Sequence, residues 1–437
     1  MKLELADFPV RNVRLGTRTG YANGVLSFDK EELLKLVLND KRIASADLDV
    51  AFPDEQTRIV NVRDVVEPRV KVSGRGCVFP GILGPVETVG EGRTHRLSGV
   101  TVIASGQYRQ TIPSGTAAGN TGIVDMWGPA SRLTPLGSTL NIVLILKLID
   151  GVSERDAHSA FQMAEFRVAQ RLAETIKDKT PESTEVFELF KVDPSLPRVV
   201  YIFSFITFRV GMHQAHSSVE LYGLPVEDSL PTFIHPNELL DGALTRDARR
   251  GTSSRESTWG LMNNSILLTL YREHGKRLNF LGVILQRTRF LSEFGKHVTA
   301  EVTSQMARLL GADGAVTSRT SPSGNNMVEV MLTLKACERK GVKTVMVGPE
   351  WGGREGTEPP LAFHLPEADA IVSTCSLDRK VKMPAPAKVI GLIDHQFITI
   401  NGGESVSPWS ELLLDGRLGI TEGLDWFGRM NYACKVY

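Results

Sequence analysis

"VVYIFSFITF" at 199–208 decides how this chain folds. β-Branched and aromatic side chains fill both of its faces, and only Ser204 and Thr207 interrupt them. A short run that is apolar on both faces is a strand buried inside a sheet. The sequence that follows alternates in period. "GLMNNSILLTLYREHGKR" (260–277) predicts a helix and "LNFLGVIL" (278–285) a strand. "HVTAEVTSQMARLLG" (297–311) predicts a helix, with Gly311 placed to end it. "GAVTS" (314–318), "KTVMVGP" (343–349) and "DAIVST" (369–374) read as strands, and "MVEVMLTLKACERKG" (327–341) as a helix. Strands that alternate with helices of this length predict βαβ units and a mostly parallel sheet. Ligands of such sheets bind beyond the carboxyl ends of the strands. The loops there are "RVGMHQAHSS", "QRTRF", "RTSPSGNN" and "EWGGREGTEPP".

Upstream, the first 150 residues read as mostly β. "KLELADFPVRNVRLG" and "GVLSFD" are strand-like, with "YANG" as turn chemistry between them. A short helix is predicted at 29–40, and further strands in "DLDVAFP", "RIVNVRDVVEPRVKVSG" and "LSGVTVIASG". "SGTAAGNTG" (114–122) reads as a flexible loop. At Ser153 the period changes, and Ala157, Phe161, Ala164, Val168, Leu172 and Ile176 mark one apolar face of a long helix. The segment 178–197 reads as a connector with a short helix in it. The expected fold class is therefore α/β, a β-rich N-terminal part followed by a mostly parallel βαβ sheet domain. The expected division is a β-rich domain at 1–150, a helix, connector and first strand at 151–240, an Arg/Ser-rich loop at 241–260 and an α/β domain at 261–437.

The totals exclude several classes. The chain has 437 residues, 42% of them apolar and 23% charged, which is the make-up of a soluble globular protein. Acids and bases balance at 50 each, so nothing points to nucleic acid or an anionic membrane as partner. Apolar runs such as "NIVLILKLI" (141–149) are too short to span a bilayer. The N-terminus has no apolar signal region, and Cys77, Cys337, Cys375 and Cys434 form no CxxC pair. A cytoplasmic protein with reduced thiols is the expectation.

Several constellations could carry chemistry, and each has a plainer reading beside it. His213 and His216 form an HxxH with Glu220 close behind, which suits a metal ion or ordinary polar packing. Ser323 and Asn325 stand where a helix start can bind an anion, or simply cap that helix. Glu350 and Arg354 follow a strand in a glycine-rich loop, where an arginine can clamp a carboxylate or pair at the surface. Asp125 is a base, a ligand, or the acceptor of a turn's N–H groups. Cys77 has Arg75 nearby, Cys375 follows a strand, and Cys337 reads as buried and inert. "DGALTRDARRGTSSRESTW" (241–259) has four arginines and two adjacent serines. It reads as a solvated loop or as a place where the chain does chemistry on itself.

"EPRVKVSGRGCVFPG", "GIVDMWGPA…TP", "FIHPNELLDGA", "HGKRLNFLGVI", "LGADGAV" and "GVKTVMVGPEWGGREG" occur in this order. Together they resemble the α/β proprotein subunit of glycine/sarcosine/betaine reductase component B, to which the D-proline reductase proprotein is related. The resemblance is collinear from about residue 2 to about residue 390. It implies a proprotein that cuts itself after the "PNELLDGA" motif, where a cysteine becomes a pyruvoyl group that grips a substrate amine. It implies a separate subunit whose selenocysteine or cysteine attacks carbon and displaces the nitrogen. It also implies small amino-acid-like substrates.

This sequence departs from the pattern there. No cysteine lies in 241–259, and the family's cysteines fall, in rough register, near Arg249 and Ser253. A guanidinium stays protonated and cannot serve as the acyl-shift nucleophile. Pyruvoyl is therefore not expected from cysteine. Ser253–Ser254 is the one bond where a serine route remains open, and a metal ion is the other aid to consider. His216 and His235 are acid/base candidates by residue type. Three readings stand: a catalytic subunit working with a thiol- or selenol-bearing partner, a non-catalytic scaffold or regulatory subunit, and a metal-dependent enzyme centred on His213 and His216.

Overall fold

The computed structural model describes residues 1–106, 121–210, 214–226, 229–249, 256–289, 292–319, 324–353, 355, 357–391 and 396–429. The architecture is mixed α/β, as the sequence pattern predicts. Its first part is built on two four-stranded sheets. One runs in the order Ser183–Glu188, Lys2–Pro9, Gly92–Ser98, Arg69–Ser73. The other runs Ile43–Ala51, Leu140–Leu148, Val100–Ser105, Val62–Val66.

The long helix Glu154–Ala173 packs on strands of both sheets. Ser153 caps it by accepting from Asp156 N–H, and the six apolar positions of its predicted face are buried. Burying that stripe is what holds the helix there, because each large apolar side chain removed from water is worth roughly 1.5–3 kcal/mol.

The segment 178–197 corrects its sequence reading. It holds a strand, Ser183–Glu188, antiparallel to Lys2–Pro9, in place of the expected short helix. "STEVFE" keeps only Phe187 buried, so pairing with the sheet edge decides its conformation over weak local preference.

The second part is a seven-stranded sheet centred on Arg198–Val210. Asn279–Arg289 and Gly314–Arg319 flank that strand in parallel, and Lys343–Glu350 and Ile371–Ser376 continue the parallel run. Thr232–Ile234 and Gln214–Ser217 pair antiparallel. Helices Glu293–Leu309 and Gly324–Arg339 supply crossovers, and Gly311 at φ +74 stands just past the end of the first. The stretch 260–277, expected as one helix, is divided between Thr258–Met262 and Ser265–Glu273. Asn264 makes the break, since its side chain caps the second helix by accepting from Leu267 N–H.

The chain then returns to its beginning. Lys388–Ile390 lies parallel to Thr57–Ile59, which also pairs with Val124–Asp125. Among the described residues, no helix is long and apolar enough to cross a membrane.

Candidate functional site

The long helix carries His158, Gln162 and Glu165 at steps of four and three, beside its apolar stripe. All three are buried. Strands Val219–Leu221 and Leu244–Arg246 pair antiparallel, with Glu220 opposite Thr245. This small sheet brings Glu220 and the residues after Arg246 against the helix. Gln162 Nε2 donates to Glu220 Oε2 at 2.8 Å. Ala248 N–H points at His158 Nδ1 at 3.3 Å. His158 Nε2 faces Glu220 Oε1 at 3.4 Å and Asp247 Oδ1 at 3.9 Å. Burial opposes charge on His158, but Glu220 and Asp247 outweigh it and raise its pKa.

Asp247 is itself gripped by Arg249. Its Oδ1 accepts from Arg249 N–H at 3.0 Å and from Nε at 2.9 Å, and Nη2 donates to Oδ2. Over this network opens a pocket of about 280 Å³. The long helix contributes Arg155, His158, Gln162 and Met163 to its wall. Glu220, Gly223 and Arg249 come from across it. Gly81 closes another side at φ +80, where a Cβ would lie 2.1 Å from Tyr222 O. Only glycine lets those two turns touch.

The stretch 241–260 is not a solvated loop in its described residues. Asp241, Arg246, Asp247, Arg249, Glu256, Ser257 and Thr258 are all buried. Asp241 accepts from Thr94 Oγ1 at 2.6 Å and Gly90 N–H at 2.8 Å, and pairs with Lys71. Thr258 is anchored through N–H and Oγ1 to the two oxygens of Asp64. Burial raises the Asp64 pKa to about 6 against the pull of Arg246. Burial, and then the charge of Asp64, push Glu165 well above the carboxylate range.

His158, Glu220 and Asp247 place an imidazole nitrogen and two carboxylate oxygens within 4.8 Å of one another. Donor types of this kind suit a divalent metal. The hydrogen bonds assign them otherwise. With Ala248 N–H on Nδ1, the proton sits on Nε2 and faces the carboxylates, and both Asp247 oxygens already accept from Arg249. The ion pair of this group is Arg249 with Asp247, and His158 lies beside it with Glu220.

The residues singled out from the sequence are dispersed. Asp125 receives Arg58 on both oxygens, at 2.8 and 3.0 Å, and both residues are fully buried. Arg58 also donates to the carbonyls of Pro384, Pro408 and Ser410, so this pair fastens the C-terminal segments to the N-terminal part. His235 caps helix Pro236–Leu240, with Nδ1 accepting from Asn237 N–H at 3.2 Å, and burial pushes its pKa down to about 4. Neither residue lines the pocket. His216 stands on strand Gln214–Ser217 opposite Phe208, and its side chain is outside the described residues. His213, Ser253, Ser254, Ser323 and Arg354 are also outside them. Asn325 is in the first turn of Gly324–Arg339, with its side chain outside the description. Glu350 ends its strand opposite Ser376. Cys375 lies within Ile371–Ser376, not after it, and burial raises its thiol pKa. Burial pushes Cys337 up to about 12 and raises Cys77 as well. These are thiols, not thiolates. The sequence reading missed His158, Gln162, Glu165 and Asp247; the polar stripe at 158, 162 and 165 was the available signal.

Comparison with known proteins comes to the same family as the six motifs. The family model described as "Glycine/sarcosine/betaine reductase component B subunits" matches residues 1–420. The chain is 33% identical over 410 residues to glycine reductase complex component B subunits alpha and beta of Acetoanaerobium sticklandii, covering 92% of each. It is 32% identical over 409 residues to the sarcosine reductase complex component B subunit alpha of Peptoclostridium acidaminophilum, again 92% of each. It is 32% identical over 404 residues to the betaine reductase counterpart of that organism, covering 90% of this chain and 88% of the relative. No solved structure matches.

Proposed function

This chain belongs to the family of glycine/sarcosine/betaine reductase component B subunits, and from that membership we propose that it handles a small amino-acid-like substrate in a cytoplasmic component B-like complex. Its partner is a subunit bearing a redox-active thiol or selenol, and the bond broken is C–N or similar. One observation carries the reading. Arg249, near which the family resemblance places a processing cysteine, is a wall of the 280 Å³ pocket.

The residues present do not fit a cysteine-derived pyruvoyl. The segment 241–259 has no cysteine, and Arg249 is a buried guanidinium engaged with Asp247. No step is routed through that group. The pocket offers instead cations at Arg155 and Arg249, an acceptor at Glu220 and, 3.4 Å from Glu220, the Nε2 of His158 as a proton source. A thiolate or selenolate of the partner would supply the electron pair to carbon. The C–N pair would leave with nitrogen, which takes up the proton. Burial strengthens the contacts of His158, Glu220 and Arg249, while Arg155 stands exposed at the rim.

The test mixes the purified chain with such a partner, a small amino acid and a dithiol, and follows amine release. Release should require both proteins and fall at least about a hundredfold in Glu220→Gln, the lower end of what a positioned proton donor or acceptor contributes. Release that ignores pocket substitutions would favour the scaffold reading, which the missing cysteine supports. Denaturing mass spectrometry with hydroxylamine should show one unreactive species at 48.0 kDa. Two fragments split at Ser253–Ser254, one of them reactive, would establish a serine-derived carbonyl instead.

A further inference from the structure

The relatives act, by their names, on glycine, sarcosine and betaine, and overall identity is 33, 32 and 32%. Identity therefore does not choose between a primary amine, a secondary amine and a quaternary ammonium. The pocket does. We infer that this chain selects ligands whose nitrogen carries N–H and discriminates against trimethylated nitrogen, with Glu220 as the residue that sets the preference. The inference rests on the reading that the pocket takes the substrate.

Two different contacts recognise the two kinds of nitrogen. A quaternary ammonium has no hydrogen to donate, and proteins hold it chiefly with the faces of aromatic rings. An ammonium with N–H is held by directed hydrogen bonds to a carboxylate. Among the described residues the pocket wall has no aromatic ring; its apolar share comes from Ile82, Met163 and Pro225. The neighbouring rings are committed elsewhere. Tyr222, beside the pocket's Gly223, places its hydroxyl on Glu238 and near Val89 N–H. Phe79 is stacked on Phe166 with centroids 4.0 Å apart.

Glu220 is the opposite kind of group. Its side chain is 8% exposed, and it lines the pocket. Gln162 holds one oxygen of the carboxylate from the protein side and His158 faces the other at 3.4 Å, which sets its orientation before a ligand arrives. A ligand N–H adds a charge-assisted bond to it. A trimethylated nitrogen instead lays methyl groups against a buried carboxylate and returns no hydrogen bond for the water it displaces.

The experiment is calorimetric titration of the full chain with glycine, sarcosine and betaine at one pH and ionic strength. Glycine or sarcosine should bind about ten- to a hundredfold tighter than betaine, the weight of one hydrogen bond to a charged group. In Glu220→Gln, and separately in Gln162→Leu, that gap should narrow through weaker binding of the N–H ligands. Wild-type selectivity is readable even if a variant fails to fold. Betaine binding as tightly as the others, or tighter, in a manner sensitive to Glu220, would overturn the selectivity and leave the pocket as the substrate site. No heat from any of the three would overturn both.

Discussion

Arg249 folds back on Asp247, two residues earlier, and its guanidinium donates to both carboxylate oxygens. A local turn of chain thus neutralises a carboxylate that His158 and Glu220 also face. Removing one member of a buried pair leaves the other charge uncompensated, at a cost of about 3–5 kcal/mol. Arg249→Met should lower unfolding stability by that order in urea titrations. Asp247→Asn should cost less, because the amide still accepts from Arg249. Equal, small losses in both would show that the pair holds little of the segment in place.

Asp125 lies under Arg58, whose remaining donors reach three backbone carbonyls far along the chain. Asp125→Ala should therefore destabilise by about 3–5 kcal/mol, with early loss of the C-terminal segments to proteolysis. A variant with unchanged stability and lost complex activity would return Asp125 to the catalytic list.

Glu165 is buried beside Asp64, and its protonated form is favoured in the fold. A carboxyl with a higher pKa folded than unfolded binds more protons in the native state. Stability then falls as pH rises from the ordinary carboxylate range through the folded pKa. Glu165→Gln keeps the shape and the acceptor for Ala104 N–H, which lies 3.3 Å from Oε1, and removes the titration. The variant should match the wild type near pH 5 and exceed it at pH 8 in denaturant midpoint. Parallel pH profiles for the two proteins would rule this out.

The parallel sheet was legible because its central strand is apolar on both faces and the following period alternates regularly. The cap at Ser153 was legible because one hydroxyl three residues before Asp156 suffices for it. Ser183–Glu188 was not, since its conformation is fixed by the edge of Lys2–Pro9 and not by its own side chains. The pocket was hidden for a similar reason. His158, Gln162 and Glu165 look like the wet side of an amphipathic helix, until Val219–Leu221 and Leu244–Arg246 are laid over them. Four arginines in 241–259 suggested solvent, and only Asp247 before Arg249 hinted at internal pairing.

His235 gives the last prediction, because its two roles separate cleanly. As an N-cap its Nδ1 accepts from Asn237 N–H, which needs that nitrogen unprotonated. Burial, with a smaller push from the positive amino terminus, lowers its pKa to about 4. A histidine with a lower pKa folded than unfolded binds fewer protons in the native state. Its stability contribution is complete above the unfolded value of about 6.5 and is lost as pH falls toward 4. Asparagine is among the best N-caps and does not titrate in this range. His235→Asn should equal the wild type in thermal midpoint at pH 7 and lose less of it at pH 5. If His235 serves the chemistry and not the cap, wild type and variant would lose the same midpoint at pH 5 and the variant would be inactive in the mixed complex, and that pair of results would displace the capping role.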